Sequence, residues 1–193
     1  MCHDFILAAS THKGEDELII SCYLKLKEEF KDLKLVLVPR HPERANTIKD
    51  ILKSKNMDSE ISSDIKFNLN KHDVVVINAT GLLNILYKRA KVSFIGGSLF
   101  SKYGGHNIIE PAFHKSPFIV GPHMKNFEDV LSLFLKKDAC IQLKSPVLLY
   151  DAFKKLLNND ELRTYMIDNA IRVVSENKGS SNQQYKYIKH LIN

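Results

Sequence analysis

The amino-acid sequence predicts an α/β domain in which helices cover both faces of a parallel sheet. Short apolar runs alternate along the chain with longer segments whose apolar residues recur at helical spacing. One of these runs, residues 74–77, is continuously apolar, which is typical of a strand buried on both faces. With 193 residues the chain is long enough for one substantial core, so we expect a single domain over residues 1–193.

The individual elements follow from apolar runs, helical periodicity and stop signals such as glycine and proline. The predicted strands span residues 5–9, 35–38, 65–67 (an edge strand), 74–77, 92–95, 117–120 and 139–143. The predicted helices span residues 16–30, 43–55, 82–90, 108–113, 127–136, 146–157, 160–176 and 180–193. Asp160 is a candidate N-cap, and the last three helices form a terminal helical region of about residues 146–193.

The composition is typical of a soluble globular protein with a basic surface. Hydrophobic residues make up 44% and charged residues 26% of the chain, and no apolar run approaches a membrane span. The net charge of +6 suits anionic partners such as a nucleotide, a phosphorylated lipid or an anionic membrane face. Basic residues are spread along the chain and no nucleic-acid motif is present, so we expect no nucleic-acid partner.

The cysteines and the start of the chain give two further expectations. Cys2, Cys22 and Cys140 lack metal or redox spacing, so we expect reduced thiols, the last two in or near the core, and no metal site. The first predicted strand begins almost at Met1, without a signal peptide, which is consistent with a fragment of a longer protein.

Polar loops follow five of the predicted strands. Right-handed crossovers place all of these loops along the carboxyl edge of a parallel sheet, which is where ligands bind in such folds. The sequence therefore predicts one binding cleft at this edge. The loops contain Ser10-Thr11-His12-Lys13, Pro39-Arg40-His41, Asn78-Ala79-Thr80-Gly81, Gly96-Gly97 and Gly121-Pro122-His123.

The segment of residues 92–123 is the most informative part of the chain. It has two glycine pairs, at 96–97 and 104–105, and a short predicted helix that begins after Asn107 and carries Glu110. Glycine lets the backbone approach a ligand, and N–H groups at a helix start attract anions. Two interpretations are open: Glu110 caps its own helix together with Asn107, or it accepts hydrogen bonds from ribose hydroxyls while the helix end faces a phosphate.

Other polar residues also allow two interpretations. The Arg40 guanidinium can grip a phosphate or a carboxylate in a fork, or it can pair with Glu43 at the surface. The loop of residues 10–13 can bind an anion, but the acidic residues 15–17 that follow favour a helix start complemented by negative charge. No Ser-His-Asp set, metal cluster or P-loop is visible in the sequence, and no general base stands out.

Three stretches resemble the bacterial 3-deoxy-D-manno-octulosonic acid (Kdo) transferases of lipopolysaccharide synthesis. They cover most of the chain to about Phe127, and they match only the C-terminal domain of that family. The most specific stretch joins Phe94-Ile95-Gly96-Gly97-Ser98-Leu99 to Gly104-Gly105-His106-Asn107, Glu110-Pro111-Ala112 and Gly121-Pro122-His123. The others are Ala8-Ala9-Ser10-Thr11-His12 with Gly14-Glu15, and Val38-Pro39-Arg40-His41-Pro42-Glu43-Arg44.

The resemblance implies the Rossmann-like, donor-binding C-terminal half of a GT-B glycosyltransferase, without the N-terminal acceptor domain. It implies transfer of Kdo from CMP-Kdo to a lipid A precursor, with inversion and without metal or cofactor. The acidic catalytic residue of this family lies in the N-terminal domain, so no catalytic residue is expected in this chain. The implied location is the cytoplasm, peripheral to the cytoplasmic face of the inner membrane.

The resemblance also assigns site residues. It implies CMP contacts from Pro39-Arg40, from Gly81-Leu82-Leu83 and from Asn107-Ile108-Ile109-Glu110, with Glu110 as the strongest candidate. The second-tier cleft residues are Ser10, Thr11, His41, Gly105, His106 and His123. The family usually has acidic residues where Asn78 and Leu82 stand here, so only main-chain contacts at these positions are expected to persist.

Three alternatives remain open from the sequence. The first is a stand-alone or inactive nucleotide-binding module from a split gene. The second is half of another GT-B enzyme, such as a UDP-sugar epimerase. The third is a flavodoxin-like protein that binds a partner and no nucleotide.

Overall fold

The computed structural model describes residues 5–177, and seven parallel strands form one sheet within this range. The strands are β1 (Phe5–Thr11), β2 (Lys34–Pro39), β3 (Ser59–Ser62), β4 (Val74–Ile77), β5 (Val92–Ile95), β6 (Phe118–Val120) and β7 (Ile141–Gln142). Their order across the sheet is β3-β4-β2-β1-β5-β6-β7, and every pairing is parallel.

Helices pack on both faces of this sheet, which confirms the predicted fold class. They are α1 (Glu15–Glu29), α2 (Ala45–Ser54), α3 (Leu83–Tyr87), α4 (Ile109–Phe113), α5 (Glu128–Lys136), α6 (Leu149–Leu157) and α7 (Asp160–Glu176). Short 3-10 turns precede α2, α5 and α6. Successive strand residues point to opposite faces, so the five inner strands contribute to two cores. Leu7 lies in the core that includes residues of α3, α4, α5 and α7, whereas Ile6 lies in the core that includes residues of α1, α2 and α6.

The edge strand lies at a different position in the structure from the one predicted from the sequence. The prediction of a strand at residues 65–67 was wrong, because the strand at this edge is β3, which pairs only with β4. The β3 sequence Ser-Glu-Ile-Ser is mostly half-buried and has no apolar run to reveal it. Phe67 is buried as a loop residue instead. The predicted helix at 180–193 and Cys2 lie outside the described residues, whereas Cys22 and Cys140 are buried as predicted.

Helix α7 begins with a different cap from the predicted one. The N-cap is Asn159, whose side-chain oxygen accepts a hydrogen bond from the Leu162 N–H at 2.7 Å, and Asp160 is the first helical residue. Replacing an N-cap Asn by Ala typically costs about 1 kcal/mol. We therefore expect Asn159→Ala to lower the free energy of unfolding by about that amount in urea titrations. Asp160→Asn is the control with a smaller expected effect, and equal losses for the two variants would contradict this assignment.

The order of the strands creates a switch point between β1 and β5. From β1 the chain extends the sheet toward β3, and from β5 it extends the sheet toward β7. In open α/β sheets, ligands bind in the crevice outside the carboxyl ends of the strands at such a point. Within residues 5–177 no helix is both long enough and apolar enough to cross a membrane.

Candidate functional site

The loops at the carboxyl edge are held together by very close backbone contacts. A Cβ at Gly96 would lie 2.4 Å from the Ser10 carbonyl oxygen, and a Cβ at Gly121 would lie 2.1 Å from the Ser98 carbonyl oxygen. Real Cβ contacts are never this short, so only glycine fits at these two positions. These two glycines therefore allow the backbones of neighbouring loops to pack closely, whereas the sequence had suggested that loop glycines allow a ligand to approach the backbone.

A buried carboxylate ties the loop after β5 to the start of α1. Glu15 is 0% exposed and accepts hydrogen bonds from the backbone N–H groups of His12, Gly97, Ser98 and Leu99, at 2.7 to 3.0 Å. Burial raises the pKa of Glu15, and the four N–H donors oppose this rise. The N–H groups of this glycine loop are thus occupied by the protein's own carboxylate and do not face a ligand.

A second buried carboxylate links β1 to the loop after β2. Asp16 is 0% exposed, accepts a hydrogen bond from the Thr11 hydroxyl at 2.6 Å and pairs with the Arg44 guanidinium. The Thr11 side chain is therefore engaged in the interior and does not line the cleft, although Thr11 was a predicted cleft residue. Its carbonyl oxygen accepts a hydrogen bond from the Arg40 N–H at 2.9 Å, which fixes the start of the loop after β2.

Three histidines form an imidazole cluster, defined here as His12, His41 and His106, at the switch point. The Nε2 atoms of His12 and His106 are 2.8 Å apart, and His41 packs edge-on against His12 with ring centroids 5.8 Å apart. Tyr103 stacks on the His12 ring with a centroid distance of 3.7 Å. Burial, followed by neighbouring positive charges such as Arg40, lowers the pKa of both His12 and His106 to about 4. Both imidazoles are therefore neutral at pH 7, and one Nε2 donates to the other.

The side chain of Arg40 is exposed beside this cluster and has no partner among residues 5–177. The surface pair with Glu43 considered from the sequence does not form, since Glu43 lies 3.7 Å from the His41 ring nitrogen instead. An unpaired guanidinium at the carboxyl end of β2 is free to bind an anionic ligand.

Glu110 lies in the first turn of α4, at the same edge of the sheet. The capping-box interpretation was wrong: the Asn107 side chain accepts from the Ile109 N–H at 2.9 Å, and the Glu110 carboxylate makes no hydrogen bond or ion pair within residues 5–177. It is half-buried, and this burial raises its pKa. A desolvated carboxylate without a partner is costly, and hydroxyl donors from a ligand would satisfy it.

The remaining predicted nucleotide contacts divide into backbone and side-chain positions. Ile108 and Ile109 are buried, so only their backbone can reach a ligand. Gly81 has a φ of 81° and no atom within 4 Å of a Cβ built on it, so its backbone is open to the cleft. Leu82 and Leu83 are half-buried against the core, and Pro39 is a buried strand end.

His123 is separate from the imidazole cluster. It is exposed and lines a groove of about 490 Å³ with Gly104, Met124 and Lys125, on the side of β6 and β7. Gly105 is buried under Met124 and its N–H donates to the Gly97 carbonyl at 2.7 Å, so it supports the loop. Ser10 occupies a bulge at the end of β1 with a φ of 56° and is half-buried.

Sequence reasoning missed the roles of Glu15, Asp16 and Tyr103. The signal for the first two was the acidic run directly after an anion-capable loop, which was interpreted as a simple helix start. Nothing near Tyr103 in the sequence indicates that it stacks on His12, because the two residues come from different loops. Within residues 5–177 no group of three or more potential ligand side chains is placed to hold a metal ion.

Comparison with known proteins gives related sequences, although no protein-family model matches this chain. The 3-deoxy-D-manno-octulosonic acid transferase of Haemophilus influenzae is 35% identical over 175 residues, which is 90% of this chain and 41% of that protein. The enzyme of the same name from Aquifex aeolicus is 34% identical over 155 residues, 80% of this chain and 42% of that protein. The chain thus spans about two fifths of the length of these curated relatives.

Among solved structures, the C-terminal CMP-Kdo binding domain of WaaA from Acinetobacter baumannii is similar to this chain. The two share 27% sequence identity and a TM-score of 0.84, and the match covers 90% of each chain. The fold is therefore that of the C-terminal domain of a GT-B glycosyltransferase. By sequence the chain is therefore a homologue of the 3-deoxy-D-manno-octulosonic acid transferases, and by fold it corresponds to the C-terminal CMP-Kdo binding domain of WaaA.

Proposed function

We propose that this chain is the donor-binding domain of a glycosyltransferase that moves Kdo from CMP-Kdo to a lipid A precursor. The observation that carries the proposal is a pair of unsatisfied charges, Arg40 and Glu110, in two of the stretches that resemble the family's nucleotide contacts. Both follow strands at the carboxyl edge of the sheet. The positive charge of Arg40 is close enough to His106, four residues before Glu110, to lower the pKa of this histidine. The similarity to a CMP-Kdo binding domain supports the same donor.

In this proposal the two charged groups bind different parts of the nucleotide. Glu110 accepts hydrogen bonds from ribose hydroxyls, and Arg40 holds the phosphate in a fork. Backbone groups at Gly81 and at residues 107–109 complete the cytidine contacts. Helix α4 has only five residues, so most of the stabilisation of the phosphate falls to Arg40 and little to a helix dipole.

In the proposed reaction, negative charge develops on the phosphate of the departing CMP. A hydroxyl of the acceptor attacks the anomeric carbon of Kdo, the bond from this carbon to the phosphate oxygen breaks, and CMP leaves with the electron pair. The acceptor proton passes to an acidic residue that the resemblance assigns to the N-terminal domain. Arg40 stabilises the departing phosphate as its negative charge grows. The proposed step uses no metal or cofactor.

The partners and the location form part of the same proposal. The lipid A precursor binds the N-terminal domain, and closure of the two domains completes the site and excludes water. The net charge of +6 supports contact with the anionic cytoplasmic face of the inner membrane. Residues 1–193 then act as one domain of a longer enzyme or of a split pair.

Calorimetry with CMP, UMP and UDP tests the donor. We expect CMP to bind more tightly than either uridine nucleotide, and we expect the purified chain alone to transfer no Kdo. Co-expression with a matching N-terminal half is expected to restore transfer. Preferential binding of UDP would favour the epimerase alternative, absence of all nucleotide binding would favour the flavodoxin-like one, and Kdo transfer by this chain alone would contradict the assignment.

A further inference from the structure

The imidazole cluster lies beside the exposed Arg40 guanidinium, which has no anionic partner among residues 5–177. His41 and Arg40 are exposed, His106 is half-buried and His12 is only 7% exposed beneath the Tyr103 ring. A ligand can therefore reach the first three, whereas His12 lies behind them in hydrogen-bond contact with His106.

The positively charged groups around the cluster come from two segments. The segment after β2 contributes Arg40 and Arg44, and the segment after β5 contributes Tyr103, with the Lys102 ammonium 5.5 Å from its ring.

The acidic groups nearby are Glu15, Asp16 and Glu43. The Glu15 carboxylate is occupied by four N–H groups, and Asp16 is occupied by Thr11 and Arg44. Glu43 touches only the exposed edge of His41. Glu15, Asp16 and Glu43 are therefore engaged with partners other than Arg40 and His106. Glu110 also lies at this edge of the sheet and makes no hydrogen bond or ion pair within residues 5–177, and the proposed function assigns it to the ribose hydroxyls.

We propose that Arg40, His41 and His106 form a subsite for an anionic oxygen group of the donor, a phosphate or a carboxylate, and that the His12–His106 pair takes up one proton when this group binds. The inference rests on the proposed function, since it takes the donor as the ligand.

The geometry of the pair suits this role. A single Nε2–H···Nε2 hydrogen bond joins the two rings in the neutral state, and it persists when one ring becomes an imidazolium, because the cation then donates to the neutral partner. The added positive charge lies on the His12–His106 pair, next to the Arg40 side chain, so the protonated pair strengthens the binding of the anion by Arg40.

The direction of the proton linkage follows from the charges. In the free chain, burial and the nearby cations hold the pKa of both imidazoles at about 4. An anion within contact distance offsets the cations and typically raises a neighbouring pKa by about one to three units. The complex then binds a proton that the free chain does not, so affinity for the anion rises as the pH falls from 7 to 5.

Histidine NMR with two probes tests the subsite. Cytidine 5′-(methyl phosphate) carries one phosphodiester charge that does not titrate in this range, and free Kdo carries the carboxylate alone. We expect at least one probe to raise the pKa of the His12–His106 pair by about two units and therefore to bind about tenfold more tightly at pH 5 than at pH 7. A response to the first probe only assigns the subsite to the phosphate, and a response to Kdo only assigns it to the carboxylate.

Two variants separate this role from a structural one. His106→Asn retains a hydrogen-bonding side chain but cannot titrate, so we expect it to remove the pH dependence of affinity. His72→Asn removes an imidazole that pairs with Asp58 elsewhere in the molecule, at 2.6 Å, and is expected to leave both readouts unchanged. If a probe binds but the histidine pKa values do not change and the affinity is the same from pH 5 to pH 7, the proton uptake inferred here is wrong and the proposed function stands. Absence of binding by either probe would overturn the proposed function as well.

Discussion

Glu15→Gln is expected to lower the free energy of unfolding by about 3 kcal/mol or more, because it leaves buried N–H groups without an acceptor. The wild-type carboxylate accepts four backbone N–H groups, three of them in the loop of residues 97–99. A glutamine of the same shape keeps one oxygen, and its NH₂ group points hydrogens at N–H groups that also need an acceptor. Urea denaturation measures the loss.

Glu17→Gln provides a matched control two residues away. The Glu17 carboxylate is half-buried and accepts a single N–H, that of Gly14 at 3.0 Å. We expect a loss of less than about 1 kcal/mol for this variant. Amide hydrogen exchange adds a local readout: protection at residues 97–99 is expected to fall in Glu15→Gln and to persist in Glu17→Gln. Equal stability losses in the two variants would show that the four-way contact contributes little.

The fold was predictable because its signals are local. Each central strand is a short apolar run since it is buried on both faces, as at residues 74–77, and each helix carries its own apolar periodicity. The edge strand β3 was missed for the same reason, because a strand paired on one side only needs no apolar run. Its backbone pairing with β4 leaves no mark in the residue types of Ser59–Ser62.

The candidate site was predictable only in part. Arg40 and Glu110 stood out because each follows a strand in a stretch that resembles a known family. The supporting contacts were hidden because they join residues that are far apart in the sequence. Glu15 lies 82 positions from Gly97, and His12 lies 94 positions from His106. Only the strand order, which places β1 beside β5, brings these pairs together.

Glu110→Gln is expected to weaken CMP binding by about 30-fold and to stabilise the free chain at pH 7. A hydrogen bond to a charged group contributes about 2 kcal/mol, and its loss accounts for the change in affinity. Burial raises the pKa of Glu110 in the folded chain, so stability that is present below the usual glutamate pKa is lost as the pH rises through the raised value. Glutamine does not ionise and avoids this loss, so the two proteins converge in stability near pH 4.

A ribose lacking one hydroxyl locates the contact. With 2′-deoxy-CMP as the ligand, the wild-type chain is expected to lose most of the affinity that Glu110→Gln loses with CMP, and the variant is expected to lose little more, because the two changes remove the same hydrogen bond. Glu161→Gln is the matched control, since Glu161 lies exposed in the first turn of α7 and is not a predicted contact residue. A residue that only supported α4 would lower stability when replaced. A gain in stability coupled to a loss of CMP affinity is therefore the signature of a carboxylate held unsatisfied for its ligand, and additive losses with 2′-deoxy-CMP would rule out the 2′-hydroxyl as that ligand group.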